Sequence, residues 1–292
     1  MTGSTLVLLS LAVLIRVFSS SYANVLQKQL TGRGYGAILV NFYSYALLAI
    51  VAIPLFIVYF SSIKSAYFWI FSIAGGMAGA VGNSFLVKAL ETGNLSVLGP
   101  INAYKSVVGL LLGIVLLQEL PGSWGLLGIG LIITGSYIVL DSPEEPVSIK
   151  IFRKKEIQYR LLALLLTGIE AVFIKRVIQE SNAMLAFGSW AVFGALFSWL
   201  LVKKYQRLPG KQWDQPAVVQ LVVLIACIAA MQLTTLYTLQ YLPVGYALAL
   251  FQLSILVSVF FGYRFFKEAH LQRKLVGAAI MVLGSVLIVL EK

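Results

Sequence analysis

The sequence predicts an all-α polytopic membrane protein with ten transmembrane helices arranged as two inverted five-helix repeats. Three observations carry this. The first is composition: of 292 residues, 60% are hydrophobic and 11% charged, against roughly 45–50% and about 25% in soluble domains. The mean hydropathy of +0.92 points the same way. The second is the arrangement of the apolar residues in long runs, many near the ~20 residues that span a bilayer. They lack the apolar–polar alternation of a transmembrane barrel. The third is that the two halves of the chain repeat one another.

The runs give spans near 4–26, 37–60, 67–90, 96–117, 123–140, 158–179, 184–202, 216–238, 244–263 and 271–290. The first is read as a retained helix, since no basic n-region or small-residue cleavage site of a signal peptide is evident. Most connectors are short. The exception is 141–157, DSPEEPVSIKIFRKKEI, which contains two prolines and eight charged residues. It reads as a surface linker between a first unit, 1–140, and a second, 158–292.

A shift of 149 residues superposes Leu90 on Leu239, Val108 on Val257, Gly113 on Gly262 and Glu119 on Glu268. The same shift places Leu126 on Leu275, Gly128 on Gly277, Gly135 on Gly284 and Ser136 on Ser285. Fixed-period similarity marks a structural repeat. An odd number of spans per repeat forces the two into opposite orientations, an arrangement whose binding site lies near the midplane where the repeats meet.

The net charge of +11 reflects basic residues gathered in connectors, where they orient helices rather than bind nucleic acid. Odd-numbered connectors carry fifteen: Lys28, Arg33, Lys150, Arg153, Lys154, Lys155, Arg160, Lys203, Lys204, Arg207, Lys211, Arg264, Lys267, Arg273 and Lys274. Even-numbered connectors and the termini carry four, Lys64, Lys175, Arg176 and Lys292. The bias predicts a cytoplasmic linker and external termini. Cys227 is the sole cysteine, so no intrachain disulfide is available.

Ionisable groups inside spans are costly and mark sites by default. Arg16 sits about twelve residues into the first span, where an unpartnered guanidinium costs about 2.5–3.5 kcal/mol on insertion scales. It reads either as a clamp for a carboxylate or phosphate or as a structural ion pair. Glu170 is its counterpart in the sixth span, and an Arg16–Glu170 contact across the repeat axis is feasible. Glu170 would then be a permanent partner of Arg16; otherwise it binds a substrate ammonium or a coupling proton. Lys105 lies in the fourth span one helical turn after Asn102, on the same face, and both are site candidates.

Uncharged groups give weaker signals. Asn83, Gln232 and Gln252 serve as interhelical glue or as ligand contacts, with Gln252 aligned beside Asn102. Tyr22, Tyr104, Trp190, Tyr237 and Tyr246 either line a cavity or sit at membrane interfaces. Arg16, Asn102, Lys105, Glu170, Gln252, Tyr22 and Trp190 form the candidate substrate-binding set. Lys88 and Glu91 read as an interfacial i,i+3 pair, and Lys175 and Arg176 as topology anchors. Gly75, Gly79 and Gly82, like Gly109 and Gly113, have the spacing of close helix packing. Pro100 falls near the start of a span, where its missing N–H is tolerated. Glu119 and Glu268 precede helices whose N-termini favour a carboxylate.

The segments ALETGNLSVLGPINAYKSVVGLLLGIVLLQEL and TLQYLPVGYALALFQLSILVSVFFGYRFFKEAH each run from a short polar turn through an apolar helix to a Glu, followed by a helix with spaced glycines. They resemble the EamA-type module of the drug/metabolite transporter superfamily over 89–140 and 238–290, and the span count extends the resemblance to the whole chain. One departure is Ala249 in the second repeat where the first has Pro100. The resemblance implies a ten-helix carrier, commonly an exporter of amino acids or related compounds. Relatives also move nucleotide-sugars, phosphate esters and organic cations, and eukaryotic relatives are described with cytosolic termini.

Three functional expectations follow. The first is a secondary carrier in the cell (inner) membrane that exports a small zwitterionic or anionic solute as a monomer, by proton coupling or exchange. The second is an exchanger of phosphorylated or nucleotide-linked metabolites, with a drug or organic-cation exporter beside it. The third is an enzyme or flippase acting on lipids. No Walker loop, metal-ligand spacing or nucleophile elbow occurs in the sequence, so no catalytic residue, metal or cofactor is expected. His270 reads as solvated in a basic connector.

Overall fold

The computed structural model describes residues 3–105, 107–108, 122–140, 152–205, 212–242 and 244–290. In chain order these form α1 (Gly3–Gly32), α2 (Ala37–Val58), a 3-10 turn (Phe60–Ser62), α3 (Tyr67–Thr92) and α4 (Leu95–Ile101). Then come α5 (Ser123–Leu140), α6 (Lys155–Glu180), α7 (Ala183–Tyr205), α8 (Gln215–Tyr241), α9 (Val244–Phe251), α10 (Ser254–Phe266) and α11 (Leu271–Leu290). No strand occurs among the described residues. Among the described residues, seven helical segments are long and apolar enough to cross a membrane, by length and composition. Gly109, Gly113, Glu119 and linker residues 141–151 lie outside the described residues, as does the side chain of Tyr246.

Helices pair across the repeats in a reciprocal pattern. α1 packs on α8 and α3 on α6, so the first and third helices of one repeat meet the third and first of the other. α2 packs on α7, α4 on α10 and α5 on α11, each helix on its own counterpart. A pseudo-twofold axis produces this pairing. Gly135 and Gly277 face each other's backbone: a Cβ on either would approach the other's carbonyl oxygen at 2.6–2.7 Å. A Cβ on Gly284 would meet the Gly128 carbonyl at 2.6 Å. The glycines superposed by the 149-residue shift are thus the ones that let α5 and α11 approach closely.

Gly75, Gly79 and Gly82 form the face of α3 that lies on α6, against Phe173, Glu170 and Leu166–Thr167. Aliphatic side chains such as Val51, Ile57 and Val58 face outward, as lipid contact would require.

α1 runs six residues past the apolar stretch ending at 26. Polar residues end the run but not the helix, because Gln27 is 2% exposed and Lys28 reaches across to the Gly93 carbonyl and to Glu268 Oε1, the latter at 3.3 Å. Glu268 does not serve the helix that follows it. It accepts from the Leu95 and Ser96 amides, both at 2.8 Å, and from the Ser96 hydroxyl, capping α4 of the other repeat. Lys274 donates to Ser96 Oγ at 2.8 Å. The close approach needs Gly262, whose Cβ would crowd Glu268 and Ser96. Just past the end of α1, Arg33 donates to both oxygens of Asp214 at 3.0 Å, and Asp214 caps α8 through the Ala217 amide.

Both fourth helices of the repeats are interrupted. α4 stops at Ile101 and helical residues resume at Tyr104; α9 stops at Phe251 and α10 begins at Ser254. The breaks are tight i→i+3 turns: Asn102 N bonds Gly99 O and Ala103 N bonds Pro100 O; Gln252 N bonds Ala249 O and Leu253 N bonds Leu250 O. Pro100 lies at the second-last position of α4 rather than at a tolerated first turn, and the helix tightens directly after it.

Candidate functional site

A cavity of about 160 Å³ lies between the two repeats, walled chiefly by α1, α3, α4, α6, α8 and the α9–α10 break. It is lined by the cations Arg16, Lys105 and Arg160 and by one carboxylate, Glu170.

Arg16 is positioned from its own helix and from the second repeat. Its Nη1 donates to Ser20 Oγ, one turn on, at 3.2 Å. Its guanidinium lies over the Phe251 ring at 4.0 Å, a cation–π contact with the last residue before the α9 break. Its Nε is buried with no partner.

Glu170 accepts from Trp190 Nε1 at 2.7 Å, and Trp190 packs on Tyr45 with ring centroids 4.8 Å apart. The carboxylate occupies space that Gly79 leaves open, since a Cβ there would collide with it. Arg16 and Glu170 therefore share the cavity without pairing: the ion pairs among the described residues are Lys28–Glu268 and Arg33–Asp214. The feasible contact between them does not form because Trp190 holds the carboxylate and Phe251 the guanidinium.

Asn102 and Lys105 both line the cavity, but across the break rather than along a continuous helix turn. Asn102 Nδ2 donates to Gln252 Oε1 at 3.4 Å. Gln252 itself is 1% exposed and does not line the cavity; it joins the two breaks from behind. Tyr22 also lies off the cavity, its ring at 6.1 Å from Phe261 and 5.9 Å from Phe265. The aromatic rings of α10 draw it to the α1–α10 seam.

The remaining polar residues divide. Asn83 donates to Asn41 Oδ1 at 2.6 Å, and Asn41 Nδ2 donates to Ser84, Ser198 and the Ala80 carbonyl. This buried network ties α2, α3 and α7 while Asn83 also borders the cavity. Gln232 lines the cavity with Nε2 unpartnered. Lys88 lies 5.7 Å from the Tyr159 ring and 5.9 Å from that of Tyr205 and makes no ion pair with Glu91. Lys175 Nζ bonds the Leu239 and Leu242 carbonyls, capping the C-terminus of α8. Tyr104 OH bonds Ser136 Oγ at 2.7 Å, Tyr237 packs on Tyr241, and His270 is exposed.

Arg160 is the residue that sequence reasoning missed. Counted as a connector charge, it is 7% exposed and lines the cavity. The break in the fourth helix explains its place: Asn102 N turns to Gly99 O, and the Leu98 carbonyl accepts from Arg160 Nε at 2.8 Å instead. The signal was helical period. Counting back from Glu170 through Thr167 and Ala163 reaches Arg160, and all four line the cavity.

Among curated protein sequences nothing matches the chain. A solved structure described only as a crystal structure of a protein is similar to it, at 14% identity and a TM-score of 0.66, over 95% of this chain and 96% of that one. At that identity the likeness speaks for the fold alone. The model of the EamA-like transporter family matches residues 7–141 and again 154–290. Two matched copies on either side of the linker, in a helical membrane protein with a charged cavity between its halves, place this chain in the EamA-like transporter family.

Proposed function

We propose that the chain is a secondary carrier of ten spans that moves a small zwitterionic or anionic metabolite, an amino acid or a close relative, out across the cell membrane. The observation that carries this reading is the cavity where the repeats meet, lined by charges of both signs with cations in excess. Inverted repeats with interrupted helices at the midplane suit alternating access, the two halves rocking about a fixed site. The cations would take the solute's acidic group and Glu170 an ammonium. With the linker in the cytoplasm, the monomer would release its solute on the side of the chain termini, by proton coupling or exchange.

A cavity of about 160 Å³ is smaller than the roughly 300–1,000 Å³ of drug-sized pockets. That favours a compact metabolite over a nucleotide-linked one. A phosphate ester exchanger is the second reading, supported by the same cations.

A thermal-shift screen of the purified protein against amino acids, phosphate esters and organic cations, with Arg16→Ala in parallel, tests the reading. A ligand at 100-fold over its Kd stabilises by about 2.7 kcal/mol. Stabilisation by amino acids or related acids, weakened in Arg16→Ala, is expected. Hits confined to phosphate esters would favour the exchanger, and hits confined to cations would contradict both.

A further inference from the structure

Resting on the reading of the cavity as a substrate site, we propose that Arg160 and Lys105 form a seat for the second acidic group of the solute, making the preferred substrate a compact diacid. Three cations and one carboxylate line the cavity among the described residues. Glu170 already receives a hydrogen bond from Trp190, and Arg16 is positioned by Ser20 and the Phe251 ring while its Nε stays without a partner.

Arg160 and Lys105 are differently placed. The Nε of Arg160 is fixed on the Leu98 carbonyl, which sets the plane of the guanidinium and leaves its two terminal nitrogens without a hydrogen bond among the described residues. Lys105 Nζ likewise has none there. Arg160 and Lys105 line one cavity of about 160 Å³ together with Arg16 and Glu170. Two like charges held close in a low-dielectric interior repel strongly, and an anion between them removes the repulsion while filling their open donors. An oriented guanidinium fork matches the two oxygens of a carboxylate.

Three cations and one carboxylate leave two positive charges, and a solute with one acidic group balances only one of them. A solute with two balances both, and the small cavity limits it to a short carbon chain. An amino group is compatible because Glu170 stands on the same cavity wall, but the seat does not require one. The helix break favours the seat: the tight turn takes Asn102 N to Gly99 O, and the Leu98 carbonyl is given to Arg160.

The test is counterflow in proteoliposomes containing the full chain, with succinate, aspartate, alanine and acetate as solutes. The expected result is exchange of succinate or aspartate at least tenfold faster than alanine or acetate. Equal rates for the two diacids would assign the preference to the seat alone, and a preference for aspartate would add Glu170 as its ammonium partner. Lys105→Gln and Arg160→Gln should bring the diacid-to-monoacid ratio towards one while monoacid exchange persists. Lys105→Gln decides the matter if loss of the Leu98 anchor prevents Arg160→Gln from folding. Wild-type protein that exchanges alanine as well as aspartate, or a ratio unchanged in folded variants, would overturn the inference and leave the carrier standing. No exchange of these or of any other small solute would overturn the carrier reading and the seat together.

Discussion

At the scale of single residues, the site depends on side chains held from more than one direction. Gly79 is a case with a clear consequence, because its missing Cβ makes room for the Glu170 carboxylate. Gly79→Ala should displace Glu170 from Trp190, cost about 1–3 kcal/mol by overpacking and weaken solute binding. Gly75→Ala, whose Cβ would meet Phe173 at 3.3 Å, should leave binding near wild type. Ligand titrations and thermal melts of the two variants check this. The sequence made Arg16, Glu170 and Lys105 legible because charge within an apolar run is rare and costly. It did not make Arg160 legible, because a charge near a basic linker looks like its neighbours until the helix is phased. Tyr22 erred the other way: an aromatic residue close to Arg16 in sequence is drawn aside by Phe261 and Phe265, partners far along the chain.

At the scale of elements, helix ends are completed by the opposite repeat or by distant helices. The Glu268 carboxylate caps α4, receives Lys28 and lies beside Ser96, which Lys274 also reaches. Removing one partner of such a buried group leaves the rest uncompensated, a loss of about 3–5 kcal/mol. Glu268→Ala should therefore lower the melting temperature far more than Lys267→Ala, a change at the exposed neighbouring position. A thermal melt in detergent separates them, and equal melting temperatures would refute the capping role. From sequence, a glutamate before a helix suggests service to that helix. Its actual target is invisible because the contact spans more than 170 positions. Seven of the spans were legible from apolar runs, whereas helix ends were not: α1 continues through Gln27 and Lys28 because other helices supply polar partners.

At the scale of the whole molecule, the repeat read from a constant 149-residue shift reappears as reciprocal helix pairing, with Gly135 on Gly277 and Gly284 on Gly128. Lys28, Arg160 and Lys274 leave the count of connector charges, being engaged with other helices. The remaining bias still favours the linker face as the cytoplasmic one. In a Cys227→Ala background, a cysteine at the exposed Arg153 should react with a membrane-impermeant maleimide only after the cells are opened. A cysteine at the exposed Ser61 should react in intact cells. The reverse pattern would invert the orientation and the direction of export.

The central claim is that a solute crosses through the cavity between the repeats. Counterflow in proteoliposomes of Met231→Trp, beside wild type and Met77→Trp, tests it most directly. Met231 lines the cavity, and an indole there takes up much of its volume, whereas Met77 is 50% exposed on the outer face of α3. Met231→Trp should fold with a near-normal melting temperature and lose exchange at least tenfold, while Met77→Trp should retain it. Wild-type exchange by a well-folded Met231→Trp would show that the solute takes another route.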